Sequence, residues 1–322
     1  IDVSSKFSKI LVIDLNRISK IIQLFDEIGI KKLDNHVEDR PLWSLVTLDE
    51  KSYSDLPIKI TLSNKLSEIR KQMLGINKFV PSPIPTNFKK ILRSYQTEGI
   101  HWLEHLKSMF LNGILADDMG LGKTLQAIVA ITQYKKINPK ATSLVVCPTT
   151  LLYNWKEELF KFNPKLNAVV IDGIPNIRKK IIADAESFDV VITSYTLLQK
   201  DVDLYKEHNF AYTILDEAQH IKNRSTRNAK SVKKIVSAHR LILTGTPIEN
   251  SLEELWSLFD FLMPGLLSTY DRYSEKFIRS TGKAHVESIN YLKRKVMPFI
   301  LRRMKVDVLK DLPAVSELTY HC

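Results

Sequence analysis

Two pairs of side chains in this sequence have the types and spacing to act on a phosphate anhydride: Lys123-Thr124 and Asp216-Glu217. The first pair closes the stretch Asp117-Asp118-Met119-Gly120-Leu121-Gly122-Lys123-Thr124, entered from an apolar run at 113–116 and left through a helical pattern, Leu125, Ile128, Val129 and Ile131. Strand, glycine-bearing turn and helix together hold phosphates, because the turn's N–H groups and the helix N-terminus point at the anion. Lys123 can reach the β- and γ-phosphates of a nucleotide, and the Thr124 hydroxyl can ligate Mg²⁺. The phosphate-loop pattern carries Gly at its first position, where this chain has Asp117. The second pair follows the apolar strand Tyr212-Thr213-Ile214-Leu215 and runs on into Ala218-Gln219. Asp216 would hold the metal, in part through water, and Glu217 would act as general base toward an attacking water. Taken alone, an Asp-Glu pair at a strand end fits a solvated turn equally well; in order behind Lys123-Thr124 it reads as catalytic. A third stretch, Leu243-Thr244-Gly245-Thr246-Pro247, permits a tight turn whose hydroxyls can link the γ-phosphate region to another site. By itself this third stretch reads as an ordinary turn closing a strand.

These residues need a scaffold that brings distant loops to one edge. From Leu92 onward, short and nearly unbroken apolar runs at 113–116, 144–147, 168–171, 190–193, 212–215 and 241–244 alternate with helical patterns such as Leu152, Trp155, Leu159, Phe160. Strands buried on both faces look like this. The alternation predicts an α/β doubly wound parallel sheet with its site at the carboxyl ends of the strands. Ahead of it, residues 1–80 mix short β-like runs (10–13 and 58–62) with an amphipathic stretch, Ile18, Ile21, Ile22 and Phe25. They read as the tail of an upstream domain, bounded by Pro81, Pro83 and Pro85. After Leu262 the alternation stops, and 266–300 is helical, basic and aromatic.

The chain has 322 residues, 44% hydrophobic and 26% charged, which are the values of a globular protein with a real core. Its formal net charge of +11 fits a polyanionic partner, most simply nucleic acid, or else a solvated basic surface. Cys147 and Cys322 fit neither a metal spacing nor a disulfide framework, so a reducing, cytoplasmic setting is expected, nucleoid-associated if the protein is bacterial. No apolar run has the length of a membrane span, and no membrane partner is expected.

The ordered motifs resemble the first motor lobe of the Swi/Snf-type branch of superfamily 2 ATPases. The matching blocks are Leu92-Arg93-Ser94-Tyr95-Gln96, Asp117 through Thr124, Pro148-Thr149-Thr150-Leu151-Leu152 with Asn154-Trp155, and Thr193-Ser194-Tyr195. Then come Asp216 to Gln219 with Ile221-Lys222-Asn223, Leu243 to Asn250, Glu254-Leu255-Trp256-Ser257, and Phe299-Ile300-Leu301-Arg302-Arg303 with Lys305, Asp307 and Val308. The family's loop likewise begins with an acidic residue. Gln219 replaces the histidine common in the eukaryotic branch, and with Ile248-Glu249-Asn250 it looks more like the bacterial branch.

The resemblance implies a RecA-like P-loop lobe over 86–322, with 266–300 as a helical protrusion and 1–85 as upstream tail and linker. It implies ATP and Mg²⁺ as cofactors, with a nucleotide site of Arg93, Gln96, Asp118, Met119, Gly120, Leu121, Gly122, Lys123 and Thr124. Gln96 and Arg93 would read adenine. Thr124 and Asp216 would serve the metal; Thr244, Gly245 and Thr246 would couple the nucleotide to the DNA site. Thr149, Thr150, Thr193, Ser194, Tyr195 and Lys222 would grip the phosphate backbone of double-stranded DNA, a job hydroxyls and N–H groups do without reading sequence.

Lys222, Arg224, Arg227, Lys230, Lys233, Lys234 and Arg240 form a basic segment in which Ala229, Val232, Ile235 and Val236 keep helical spacing, predicting a helix with a basic outer face. Lys283 to Lys310 is a second basic segment, where Arg302 and Arg303 read as structural braces.

By resemblance, then, the expected activity is that of a DNA-dependent ATPase, a translocase that remodels protein–DNA complexes. A strand-separating helicase or restriction-type motor is the alternative within the class; a non-hydrolysing nucleotide-dependent scaffold is the alternative outside it. The chain runs from Ile1 to Cys322 and reads as a piece of a longer protein; nothing after Leu312-Pro313 resembles the second RecA-like lobe, which is expected C-terminal to this piece in the full-length chain. Alone, it is expected to bind ATP weakly with little turnover.

Overall fold

Each apolar run after residue 92 becomes a strand because its alternating side chains have helices to bury against on both sides. The strands are β1 (Gly113–Leu115), β2 (Ser143–Cys147), β3 (Ala168–Val170), β4 (Val190–Ser194), β5 (Asn209–Asp216), β6 (Val236–Leu243) and β7 (Ile300–Leu301). They form one sheet in the order β3-β4-β2-β5-β6-β1-β7, and every pairing is parallel. This computed structural model describes residues 14–28, 43, 53–56, 61, 63–73, 76, 78–245 and 251–311. The run at 10–13, the run at 58–62 except Thr61, residues 246–250, Pro313 and Cys322 lie outside the described residues.

Ile114, Leu144, Val146, Leu215 and Ile242 join one buried cluster, with residues from helices Tyr195–Asp201, Arg227–Lys233 and Leu252–Leu262. Their sequence neighbours Leu115, Val145, Cys147, Ile214 and Leu241 join a second cluster, with helices Ser94–Ser108, Lys123–Ile137 and Leu152–Phe162. The pleat sends successive side chains to opposite faces, and both faces are covered, as parallel sheets require. Cys147 is one of these buried strand residues, and burial pushes its thiol up to about 12. The doubly wound sheet expected from the alternation is the one observed.

Local departures have local causes. The helix predicted through Val236 stops at Lys233, and Val236 starts β6 in register with Asn209. Pairing to β5 overrides the helical spacing there, and Val236 is left exposed. Phe160 also falls off the buried stripe of its helix and faces solvent. In the helix Leu15–Ile28, Leu24 is buried and packed with Tyr53 and Leu56, while Ile18 and Ile22 are exposed. β7 was not foreseen, because two residues are too few to show a period.

Residues 78–85 have no regular structure, in keeping with their prolines. Further on, Tyr270–Tyr273, a π-helical turn Ser274–Ile278, Gly282–Val296 and a 3₁₀ turn Met297–Phe299 make the stretch before β7 helical. Among the described residues no helix is long and apolar enough to cross a membrane.

His239 on β6 is buried beside the rings of Tyr134 and Tyr212, at centroid distances of 5.5 and 5.3 Å. Burial, with Lys107 adding to it, lowers the imidazole from 6.5 to about 4. Between these two values the unfolded chain binds the proton and the folded one does not. Stability is therefore full above pH 6.5 and falls as pH drops toward 4, by on the order of 3 kcal/mol. His239→Phe is expected to flatten this part of a urea-midpoint profile against pH; an unchanged slope would show that another group controls it.

Candidate active site

The phosphate loop leaves β1 and ends where the helix Lys123–Ile137 begins. Gly120 and Gly122 have positive φ, 83° and 76°, and Gly122 precedes the helix in left-handed conformation. Such alternation of backbone hand is the one in which successive N–H groups converge on an anion. Leu121 is buried with Tyr95 and Val308, and its carbonyl accepts from Tyr95 Oη at 3.2 Å and Gln96 Nε2 at 3.1 Å. Gln96 Oε1 accepts from the Arg93 backbone N–H at 3.0 Å, satisfying one free donor at the start of the helix Ser94–Ser108. Both ends of the Gln96 amide are thus engaged within the lobe. A Cβ at Gly122 would strike Gln96 Nε2, so only glycine lets the loop lie against this side chain.

Lys123 Nζ donates to the carbonyls of Asp117 at 2.7 Å and Asp118 at 3.2 Å. Burial lowers its pKa, opposed by the carboxylates of Asp117, Glu217, Asp216 and Asp118 around it. The fields of both acidic pairs therefore meet at this one ammonium. Met119 is exposed, and Thr124 sits in the first turn of the helix.

At the end of β5, Asp216 is buried and its carboxyl is raised above the usual carboxylate range, chiefly by desolvation. Its Oδ2 accepts from the indole N–H of Trp155 at 2.8 Å and its Oδ1 from the Glu217 N–H at 3.0 Å. Tyr195 Oη donates to the Asp216 carbonyl at 2.8 Å. Glu217 has φ 52° and ψ 57°, a left-handed conformation that costs a non-glycine residue about 1–2 kcal/mol. Strain of this kind is a feature of functional positions. At the end of β6, Thr244 is buried, its N–H donating to the Leu115 carbonyl at 3.1 Å. A Cβ at Gly245 would lie 2.8 Å from Met119 Cγ and 3.6 Å from Lys123 Nζ. Gly245 thus lies directly against the phosphate loop; Thr246 and Pro247 are outside the described residues.

The residues expected to touch DNA divide into two groups. Thr149, Thr150 and Lys222 are exposed, Lys222 in a 3.4 Å ion pair with Glu254. Thr193, Ser194 and Tyr195 are buried instead, because β4 is an interior strand. Ser194 Oγ caps the helix Tyr195–Asp201 by accepting from the Leu197 N–H, and Tyr195 stacks on His220. These side chains hold the site together rather than face outward. The basic segment is likewise partly used up inside: Lys233 pairs with Asp260 at 2.5 Å, Arg240 donates to the Phe261 and Ile235 carbonyls, and Arg224 lies over the Tyr270 ring. Arg227, Lys230 and Lys234 remain exposed.

One contributor escaped the sequence reading, and so did the partner of Arg303, which the sequence marks only as a structural brace. Trp155 appeared as an apolar helix position, although a buried indole N–H needs an acceptor, and that need was the available signal. Arg303 supplies the buried counter-charge of Asp117: Nε donates to Oδ1 at 2.9 Å and Nη2 to Oδ2 at 2.5 Å. It braces the phosphate loop itself.

A parallel, doubly wound sheet with a phosphate loop after β1 and an acidic pair after β5 defines a P-loop lobe of the RecA type. The model of the SNF2-related domain matches residues 95–322, and the chain belongs to that family. It is 40% identical over 78% of its length to the TATA-binding protein-associated factor MOT1 of Saccharomyces cerevisiae, and covers 15% of that protein. It is 41% identical over 70% of its length to an uncharacterized ATP-dependent helicase of Mycoplasma pneumoniae, covering 22% of it. The solved SWI2/SNF2 ATPase core of Sulfolobus solfataricus in complex with double-stranded DNA matches with TM-score 0.66 and 42% identity, over 73% of this chain and 49% of that one. The chain thus spans only a small part of the curated relatives.

Trp155→Phe keeps an aromatic ring, though a smaller one, and leaves Asp216 Oδ2 without its buried donor. The expected loss is about 1–3 kcal/mol of stability, read as a lower urea midpoint; an unchanged midpoint would mean the bond contributes nothing.

Proposed function

We propose that this chain is the ATP-binding lobe of a DNA-dependent ATPase that moves along double-stranded DNA and remodels protein–DNA complexes. The observation that carries the reading is the convergence on Lys123 of the phosphate loop, the Asp216-Glu217 pair and Gly245. Lys123 would neutralise the β- and γ-phosphates, and Glu217 would take the proton of the attacking water. Arg93 and Gln96 would meet the adenine, with Gln96 exchanging its bond to Leu121. Thr244, Gly245 and Thr246 would couple the nucleotide to the DNA site.

The residues present fit Mg²⁺. Among the described residues no group of three His, Cys, Asp or Glu side chains is placed to hold a metal by itself. Mg²⁺ bound with nucleotides needs only one or two protein oxygens besides phosphates and water, and Thr124 and Asp216 would provide them. When bound, the ion would supply charge neutralisation on the phosphates.

Support for a DNA partner comes from the +11 charge, from exposed Thr149, Thr150 and Lys222, and from the similar Sulfolobus core having been solved with double-stranded DNA. Ser194, Thr193 and Tyr195 would act there through their backbone groups only. A second RecA-like lobe in the same full-length chain would supply an arginine worth about 10³–10⁵ in rate. This chain alone would accordingly bind ATP weakly and turn it over little.

In the full-length protein, ATP hydrolysis should rise with duplex length at fixed salt. Stimulation by RNA or single strands alone would instead indicate a strand-separating helicase. Glu217→Gln should lower kcat by about 10²–10⁴ while ATP still binds; a nucleotide-dependent scaffold would show no hydrolysis to lose. Lys222→Gln should reduce the slope of log affinity for duplex against log salt by about 0.9, one phosphate contact, without moving the melting temperature.

A further inference from the structure

Asp117 occupies the position where a phosphate loop has glycine, and its side chain has no solvent exposure. Every polar atom around its carboxylate comes from two places. Oδ1 accepts from the backbone N–H of Arg303 at 3.1 Å and from Arg303 Nε at 2.9 Å. Oδ2 accepts from Arg303 Nη2 at 2.5 Å and from Gln126 Nε2 at 3.3 Å. The rest of the guanidinium is engaged as well, donating to the Tyr95 carbonyl and, at 3.1 Å, to Gln126 Oε1. The helix Ser94–Ser108 passes so close that a Cβ at Gly99 would strike Gln126 Oε1 and lie 2.8 Å from Arg303 Nη2.

The backbone follows the same path. Ala116 N–H donates to the Leu301 carbonyl at 2.7 Å, Asp118 N–H to the Arg303 carbonyl at 3.0 Å, and Lys305 N–H to Asp118 Oδ2 at 2.9 Å. Residues 301–305 therefore strap the first turn of the phosphate loop from outside. The two carbonyls on which Lys123 Nζ rests belong to Asp117 and Asp118, the residues the strap holds.

We propose that Arg303 is a positioning residue for nucleotide binding: through Asp117 it sets the phosphate loop and, with it, the place of Lys123 before nucleotide arrives. This rests on the reading of the lobe as an ATP site and adds to it the device that presets that site. A planar fork is needed, because two carboxylate oxygens, a carbonyl and an amide oxygen are met at once. Lysine carries the same charge without the fork.

The test uses the full-length protein with Arg303→Lys, Asp117→Asn, the two combined, and Lys305→Pro. The last removes one N–H from the strap at the first residue of the helical turn Lys305–Asp311, where proline is tolerated, and it leaves the buried pair intact. ATP and duplex DNA affinities are measured beside the melting temperature. Arg303→Lys and Asp117→Asn should each weaken ATP binding about 10- to 100-fold, and the double variant should be no worse than the weaker single one, as coupled residues behave. Lys305→Pro should weaken ATP binding less, in the same direction, and duplex affinity should stay within about twofold throughout, well under the tenfold that 1.4 kcal/mol represents. Unchanged ATP affinity in folded Arg303→Lys and Lys305→Pro overturns the proposal, as does parallel loss of ATP and DNA binding. A parent protein that binds no ATP overturns the underlying reading and this proposal with it.

Discussion

A carboxylate removed from water is costly to the fold unless a cation and hydrogen-bond donors meet its oxygens. Asp117 imposes that requirement at the entrance to the phosphate loop, and Arg303 meets it from 186 residues downstream. The pair decides more than local stability. It fixes where β7 lies against β1, and with Gln126 and the Tyr95 carbonyl it locks the helices on that face around the loop. The acidic residue at the first loop position, odd as a phosphate-loop residue, is explained by its partner.

The second constraint is the strand order. β2, β5, β6 and β1 are neighbours in the sheet, so their carboxyl ends deliver Thr149-Thr150, Asp216-Glu217, Thr244-Gly245 and the phosphate loop to one edge. Because all strands are parallel, every such end points the same way. The helices behind them finish the job, with Trp155 reaching Asp216 from one face of the sheet and Tyr195 reaching its carbonyl from the other.

Burial then tunes the charges that gather there. Desolvation lowers Lys123 and raises Asp216, moving both groups toward their neutral forms while their mutual attraction works against it. Such opposed terms mean that an added anion or cation near either group shifts the balance strongly in a low-dielectric site. Glu217 adds its own charge to both, from a left-handed backbone conformation at the edge of the buried region.

What the sequence determined by itself was the strands β1 to β6, their alternation with helices, and the order of Lys123-Thr124, Asp216-Glu217 and Thr244-Gly245 along the chain. These follow from short-range physics: apolar runs that must be covered on both sides, and glycines where the backbone turns left-handed. The same reasoning failed at Val236, where pairing with β5 outweighed helical spacing, and it gave no sign that the side chains of Thr193, Ser194 and Tyr195 are buried at the end of an interior strand. Only the tertiary structure decided that Trp155 supports Asp216 from 61 residues away and that Arg303 closes on Asp117. A buried donor announces that it needs a partner, but periodicity along the chain carries no information about which distant residue the packing will bring to it.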